Sequence, residues 1–122
     1  MSVLADTSVW VDHFRRGDAA LAGALQDGRV LTHPMVVGEL ICGNLPDRRR
    51  TVESLLVLPS VPAATDDEAR ALIERTRLHG RGLSWIDVHL IAAALIVGVP
   101  LWTRDAPLSR AAHAAGAALW TP

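Results

Sequence analysis

The stretch VLADTSVW, residues 3–10, indicates the fold class of this chain of 122 residues. Its first three residues are apolar, which is typical of a short buried strand. An acid and two hydroxyl residues follow, which indicates the start of a helix. The same alternation of strand and helix continues along the whole chain. It predicts a mostly parallel sheet, because parallel strands need helical crossover connections.

The predicted fold is an α/β, three-layer α/β/α sandwich around a four- or five-stranded, mainly parallel sheet. The predicted strands are residues 3–5, 29–32, 57–61, 100–103 and 117–120. The helices predicted between and after them are residues 7–16, 19–26, 34–43, 46–56, 65–78, 85–97 and 108–115. Pro59 would confine the third strand to an edge of the sheet, because proline cannot donate a hydrogen bond. One domain, residues 1–122, is expected from the length.

The composition gives no sign of a membrane or secreted protein. The longest apolar stretch, residues 90–102, contains Gly98 and Pro100 and is too short to span a bilayer. Residues 1–6 lack the basic region and long apolar stretch of a signal peptide. Cys42 is the only cysteine, so no disulfide can form within the chain. We therefore expect a cytoplasmic location and no membrane partner.

Four acids follow predicted strands or lie in the first turns of predicted helices: Asp6, Glu39, Asp87 and Asp105. In a parallel α/β domain these positions gather outside the carboxyl ends of the strands. Clustered carboxylates need a compensating cation, and hard oxygen ligands suit Mg²⁺ or Mn²⁺. The four acids therefore predict a metal pocket. Without them, nine acidic residues face twelve arginines, so the rest of the surface would be mildly basic.

Each acid also has a structural interpretation. Asp6 and Asp105 stand where a helix N-cap would stand. Thr7 or Ser8 could cap the first helix in place of Asp6, which would leave the Asp6 carboxylate free to face the edge of the sheet.

Ser84 and Asp87 have the spacing of a capping box, with Asp in place of Glu. Glu39 lies among apolar neighbours in its helix, where a carboxylate is costly unless it is paired or solvated in a cleft. It could instead reach solvent at a boundary position. The metal pocket is favoured because all four acids converge on one side of the predicted sheet.

Four segments resemble the acidic motifs of PIN-domain ribonucleases, and in particular the VapC toxins of bacterial toxin–antitoxin pairs. They are LADTSVW at 4–10, VGEL at 37–40, WID at 85–87 followed by IAAA at 91–94, and LWTRD at 101–105. The resemblance extends over essentially the whole chain. It implies that the four acids hold the metal and that Thr7, Ser8 and Thr103 support them. After the last acid, residues 106–108 lack the polar residue and the aromatic that many relatives carry there.

The resemblance implies a toxin that cleaves RNA as a Mg²⁺- or Mn²⁺-dependent endoribonuclease, using a metal-activated water. It also implies a cognate VapB-type antitoxin and a homodimer that forms a heterotetramer or larger assembly with it. Candidate RNA contacts near the motifs are Arg15, Arg16, Arg81 and Arg104; a solvated helix face is the alternative for each. An inactive PIN-like scaffold that binds RNA or a protein without cleavage is the alternative function.

The five histidines have no metal-ligand spacing, and we expect most of them at the surface or at boundary positions. A separate apolar stripe, Leu45, Val52, Leu55 and Leu56, lies beside residues 48–50, which are three arginines. It predicts a groove for an amphipathic antitoxin helix. The alternative is that the stripe packs on the domain's own sheet. We further expect a basic antitoxin side chain to approach Asp6 and Asp87.

Overall fold

The computed structural model describes all 122 residues and contains three strands and seven helices. In chain order the elements are β1 (Val3–Ala5), α1 (Thr7–Arg16), α2 (Ala19–Gln26), β2 (Val30–Leu31), α3 (Pro34–Cys42), α4 (Arg48–Val57), α5 (Asp66–Thr76), α6 (Trp85–Val97), β3 (Leu101–Trp102) and α7 (Ala106–Ala114). The predicted α/β fold class is confirmed.

The sheet is parallel, with β1 in the centre and the order β2-β1-β3. Single parallel bridges extend it on both sides, from Thr32 to Ser60 and from Leu101 to Leu119. The predicted outer strands are therefore present only as bridges. Next to Ser60 the reason is local: Pro59 can accept a hydrogen bond from the Thr32 amide, but it has no amide to continue the ladder.

The core is built on β1 and α6. All three residues of β1 are fully buried, which explains why this strand is a continuous apolar run. Residues 88–94 of α6 are also buried, so this helix is enclosed on every side in its central turns, where His89 is the only polar residue. It begins at the Ser84 cap and ends at Gly98, whose φ of 78° suits a glycine C-cap.

The sheet topology creates a crevice beside β1. The chain passes from β1 to β2 on one side, and after β2 it returns across the sheet to β3 on the other side. In open α/β sheets, ligands bind outside the carboxyl ends of the strands where the strand order reverses in this way. Asp6 directly follows β1 and Thr103 directly follows β3, so both lie at this crevice.

None of the seven helices combines the length and the apolar character needed to cross a membrane.

Candidate acidic active site

Asp6 is the buried centre of the site, with only 4% of its surface exposed. One carboxylate oxygen, Oδ1, accepts the backbone N–H of Ser8, and Oδ2 accepts the hydroxyl of Thr103. Asp6 is itself the N-cap of α1, as its structural interpretation held, so neither Thr7 nor Ser8 caps the helix. Its extended backbone directly before Thr7 places its own side chain within reach of the N2 amide.

The pKa of Asp6 is raised above its ordinary value. Burial is the largest cause, because it disfavours the charged form. Hydrogen bonds from Thr103 and Ser8 act in the opposite direction, and the nearby negative charge of Asp87 adds to the increase. The groups that surround Asp6 therefore compensate its negative charge only in part.

Thr103 connects the ends of β1 and β3. Its hydroxyl donates to Asp6 Oδ2 and accepts the backbone N–H of Asp105 at 3.0 Å. Ser8 Oγ lies 3.4 Å from Thr103 Oγ1 and accepts the backbone N–H of Arg104 at 2.9 Å. The predicted supporting hydroxyls therefore tie the segment 103–105 to the start of α1.

Asp105 occupies the N-cap position of α7, but its side chain makes no capping hydrogen bond. The structural interpretation of Asp105 therefore does not account for its carboxylate. The link between the Asp105 amide and Thr103 holds this residue at the same crevice as Asp6.

Asp87 serves a structural purpose and also contributes charge to the site. Its Oδ2 accepts the Ser84 N–H at 3.0 Å, and its own N–H donates to Ser84 Oγ at 3.1 Å, so the capping box is present. Its charge nevertheless acts on Asp6 and raises the Asp6 pKa. The capping and charge interpretations are therefore compatible.

Glu39 is exposed and accepts a 2.7 Å hydrogen bond from the Thr7 hydroxyl. This pairing joins α3 to the first residue of α1. Glu39 and Thr7 also line a cavity of about 350 Å³ between α1, α3 and the loop after α3. The solvated cleft that would make a carboxylate tolerable in this apolar helix is therefore present.

The four acids do not form a tight cluster. No three Asp, Glu, His or Cys side chains are close enough together to hold one metal ion among them. Hydrogen bonds connect Asp6 to Asp105 through Thr103, and Glu39 to the residue after Asp6. Asp87 is connected to this group through its charge on Asp6.

The candidate arginines are in different environments. Arg104 forms ion pairs with Asp12, at 2.9 Å, and with Asp18. These carboxylates raise the pKa of Arg104, and the hydrogen bond from Arg104 lowers the pKa of Asp12. Arg16 pairs with Asp12 at 3.4 Å.

Arg81 and Arg15 are both exposed. The Nε of Arg81 donates to the Arg77 carbonyl in the loop before α6. Arg15 lines the cavity beside Glu39.

His13, His79 and His113 lie at the surface or at boundary positions, as expected for most of the five histidines, whereas His33 and His89 are deeply buried. His33 caps α3, where its Nδ1 accepts the Met35 amide at 3.0 Å. Burial and the nearby His89 lower the pKa of His33 to about 4. His89 Nε2 lies 3.1 Å from Asp66 Oδ1. The position of His33 directly before Pro34, a favoured first helical residue, is the sequence signal for its capping role.

The match to a family model identifies the class of protein. The PIN domain model matches residues 3–114. The chain therefore belongs to the PIN-domain family, as the four motifs predicted.

Individual relatives agree with this assignment. The chain is 42% identical over 118 residues to ribonuclease VapC32 of Mycobacterium tuberculosis, covering 96% of this chain and 95% of that protein. Its fold is similar to the crystal structure of M. tuberculosis VapC20, a toxin that cleaves the sarcin–ricin loop, with TM-score 0.65, 24% identity and coverage of 99% and 100%. It is also similar to FitAcB from Neisseria gonorrhoeae, with TM-score 0.62, 19% identity and coverage of 98% and 96%.

Proposed function

We propose that this chain is the toxin of a type II toxin–antitoxin system and a Mg²⁺- or Mn²⁺-dependent endoribonuclease. The observation that carries the proposal is the buried Asp6 carboxylate at the carboxyl edge of β1, beside the charge of Asp87. The similarity to a protein named ribonuclease VapC32 supports RNA as the substrate.

The side chains of the site fit a hard divalent cation. The donors are carboxylate oxygens, and the partly compensated charge of Asp6 would be stabilised by a cation. Asp6, Glu39, Asp87 and Asp105 are the proposed ligands. Because no three of them are close enough to share one ion directly, we expect water to complete part of the coordination.

A bound Mg²⁺ or Mn²⁺ would supply a water of lowered pKa and charge neutralisation at the scissile phosphate. The protein's part is to position the ligands. Thr103 holds the Asp6 carboxylate, and Thr7 holds Glu39. Hydrolysis by water requires no 2′-hydroxyl nucleophile, so the products would carry a 5′-phosphate and a 3′-hydroxyl.

RNA cleavage by the purified protein in Mg²⁺, in Mn²⁺ and in EDTA tests this mechanism. Asp6→Asn and Asp105→Asn keep the side-chain shape but remove a charge, and each should abolish cleavage while the protein stays folded. Asp27→Asn is a matched control, because Asp27 is exposed at the end of α2. Undiminished cleavage in EDTA contradicts the mechanism. RNA binding without any cleavage supports the inactive scaffold instead.

The proposed partner is a VapB-type antitoxin that lies along α4. The apolar stripe predicted there is divided: Leu55 is only 3% exposed and belongs to the core, as the alternative interpretation held, whereas Leu56 is 65% exposed. A cavity of about 280 Å³, lined partly by Trp10 and Arg50, lies on one side of Leu55. A second, of about 290 Å³, lies on the side of Leu56.

The Trp10 indole lines the first of these cavities. Its Nε1–H is buried and has no hydrogen-bond partner in the protein. An amphipathic antitoxin helix could cover this cavity, and a basic side chain farther along it could approach Asp6 and Asp87.

Antitoxin affinity tests the surface. Leu56→Asp should weaken binding of the cognate antitoxin without unfolding the protein. Ile96→Asp is the control, because Ile96 is 57% exposed on α6, away from both cavities. If the Leu56→Asp variant and the unaltered protein bind the antitoxin with equal affinity, the proposal that the antitoxin lies along α4 is wrong. Mass measurement of the toxin with and without antitoxin checks the proposed homodimer and heterotetramer.

A further inference from the structure

The cavity beside Glu39 has features that the metal site does not require. Its volume of about 350 Å³ lies at the lower end of the range for ligand pockets, roughly 300–1,000 Å³. One part is apolar and includes Val11, Phe14 and Leu45. The polar part includes Arg15 and Asn44.

The positively charged side chain that lines this cavity, Arg15, is not paired with an acid. Arg15 takes part in none of the ion pairs in the structure and is exposed. Its neighbour Arg16, by contrast, pairs with Asp12. Arg15 can therefore bind an anion without first breaking an internal contact.

The loop after α3, which forms one wall of the cavity, is anchored to α4. The guanidinium of Arg48 donates to the carbonyl of Ile41 at 2.6 Å and to that of Gly43 at 2.9 Å. The Thr51 hydroxyl donates to the carbonyl of Pro46. These bonds tie both ends of the wall to α4, so Asn44 is presented by a braced segment. A braced pocket costs less ordering entropy when it binds a ligand.

We propose that this cavity is a subsite for one unpaired nucleotide of an RNA strand, next to the phosphate bound at the acids. The inference rests on the proposed nuclease function. Thr7 and Glu39 line the cavity and belong to the acidic site, so a strand bound at the acids enters the cavity directly.

The chemistry of the lining matches the parts of a nucleotide. Val11, Phe14 and Leu45 offer an apolar wall for the base. Asn44 presents an amide, which can donate to and accept from the edge of a base. Arg15 offers a guanidinium for the phosphate. An unpaired nucleotide is required because the bases of an RNA helix are not accessible to such a pocket.

The direct test is a titration of the metal-free protein in EDTA with AMP, CMP, GMP and UMP, followed by NMR. The Asn44 side-chain amide and Arg15 Nε signals should shift. The affinities for the best and worst bases should differ about fivefold or more, the lower limit for one bidentate base contact. Asn44→Ala should remove this difference. Arg15→Ala should weaken all four nucleotides by a similar factor.

Matched controls lie outside the cavity. Gln26→Ala removes an exposed amide on α2, and Arg75→Ala removes an exposed arginine on α5. Neither should change the ratio of affinities. Absence of shifts at Asn44, or a base preference that survives Asn44→Ala, overturns the proposal. So does a result in which the antitoxin shifts Asn44 and none of the nucleotides does.

A second experiment separates this inference from the nuclease proposal. Cleavage products from a random-sequence RNA pool in Mg²⁺ should show a base preference at one position beside the cut, and Asn44→Ala should flatten it. Cleavage with an unchanged preference in that variant refutes the subsite alone. Nucleotide binding at Asn44 together with no cleavage refutes the nuclease function alone.

Discussion

Thr103→Val is the sharpest test of how the acidic site is held together. Valine has nearly the shape of threonine but lacks the hydroxyl. The change removes the donor to Asp6 Oδ2 and the acceptor for the Asp105 amide. It leaves the apolar core around β1 and β3 in place. The altered protein should therefore fold, but with a buried carboxylate that has lost a hydrogen bond.

The expected cost follows from the type of hydrogen bond. A bond to a charged group contributes about 1.5–3 kcal/mol to stability, about twice a neutral bond. For a domain of this size, that loss should lower Tm by roughly 5–12 °C. Thr103→Ser keeps the hydroxyl and should recover most of the stability.

The stability lost in Thr103→Val should depend on pH. The Thr103 hydrogen bond lowers the pKa of Asp6, so its removal should raise that pKa further above 3.8. A protein with a carboxyl whose folded-state pKa is raised becomes less stable as pH rises from 3.8 through the folded-state pKa. The difference in Tm between Thr103→Val and the unaltered protein should therefore be small near pH 3 and reach its full size near pH 7.

The assay is thermal unfolding in EDTA from pH 3 to pH 8, followed by circular dichroism. A Tm that is unchanged at pH 7 refutes the assignment of Thr103 as the support of Asp6. A loss of the same size at every pH indicates a packing defect. The loss of Mg²⁺-dependent RNA cleavage in Thr103→Val, with recovery in Thr103→Ser, would connect this support to activity.

Three further predictions concern charged groups. In EDTA, the stability of Asp6→Asn relative to the unaltered protein should increase as pH rises above 3.8, because the fold disfavours the charged form of Asp6. Added Mg²⁺ should raise the Tm of the unaltered protein only. If Mg²⁺ stabilises both proteins equally, Asp6 is not a ligand. His33→Asn keeps a capping acceptor but cannot titrate as histidine does. Because the folded-state pKa of His33 is about 4 rather than 6.5, the unaltered protein loses stability as pH drops between these values. Urea unfolding should show a loss of about 3 kcal/mol for the unaltered protein over this range and no such loss for His33→Asn. Arg104→Lys keeps the charge but cannot make the same forked contact with Asp12 and Asp18. The pKa of Asp12 should therefore rise toward its ordinary value in an NMR titration. An unchanged pKa of Asp12 contradicts the ion pair.

Local patterns in the sequence determined the order of the elements. The strand at residues 3–5, the helix at 85–97 and the capping box at Ser84 agree with the structure. Each depends on residues within a few positions of one another, so the sequence carries the complete signal. The PIN family assignment was predictable for a related reason: its acids follow strands and begin helices, which are features of local sequence.

Only the tertiary structure decided the partners of these acids. Asp6 and Thr103 are 97 residues apart, and Thr7 and Glu39 are 32 apart. The sequence alone left the cap of α1 open between Asp6 and Thr7 or Ser8, because it does not show which donor the Asp6 carboxylate faces.

The burial of particular side chains was also beyond local reasoning. Leu55 and Leu56 are adjacent and equally apolar, yet the first is in the core and the second is in solvent. His33 and His89 are equally buried, although nothing in their spacing indicates that they are close neighbours. Burial depends on which elements pack against a residue, and that packing is set by the crossover connections around β1. The sequence therefore determined the kinds of groups at this site, and the fold determined their distances, hydrogen bonds and charges.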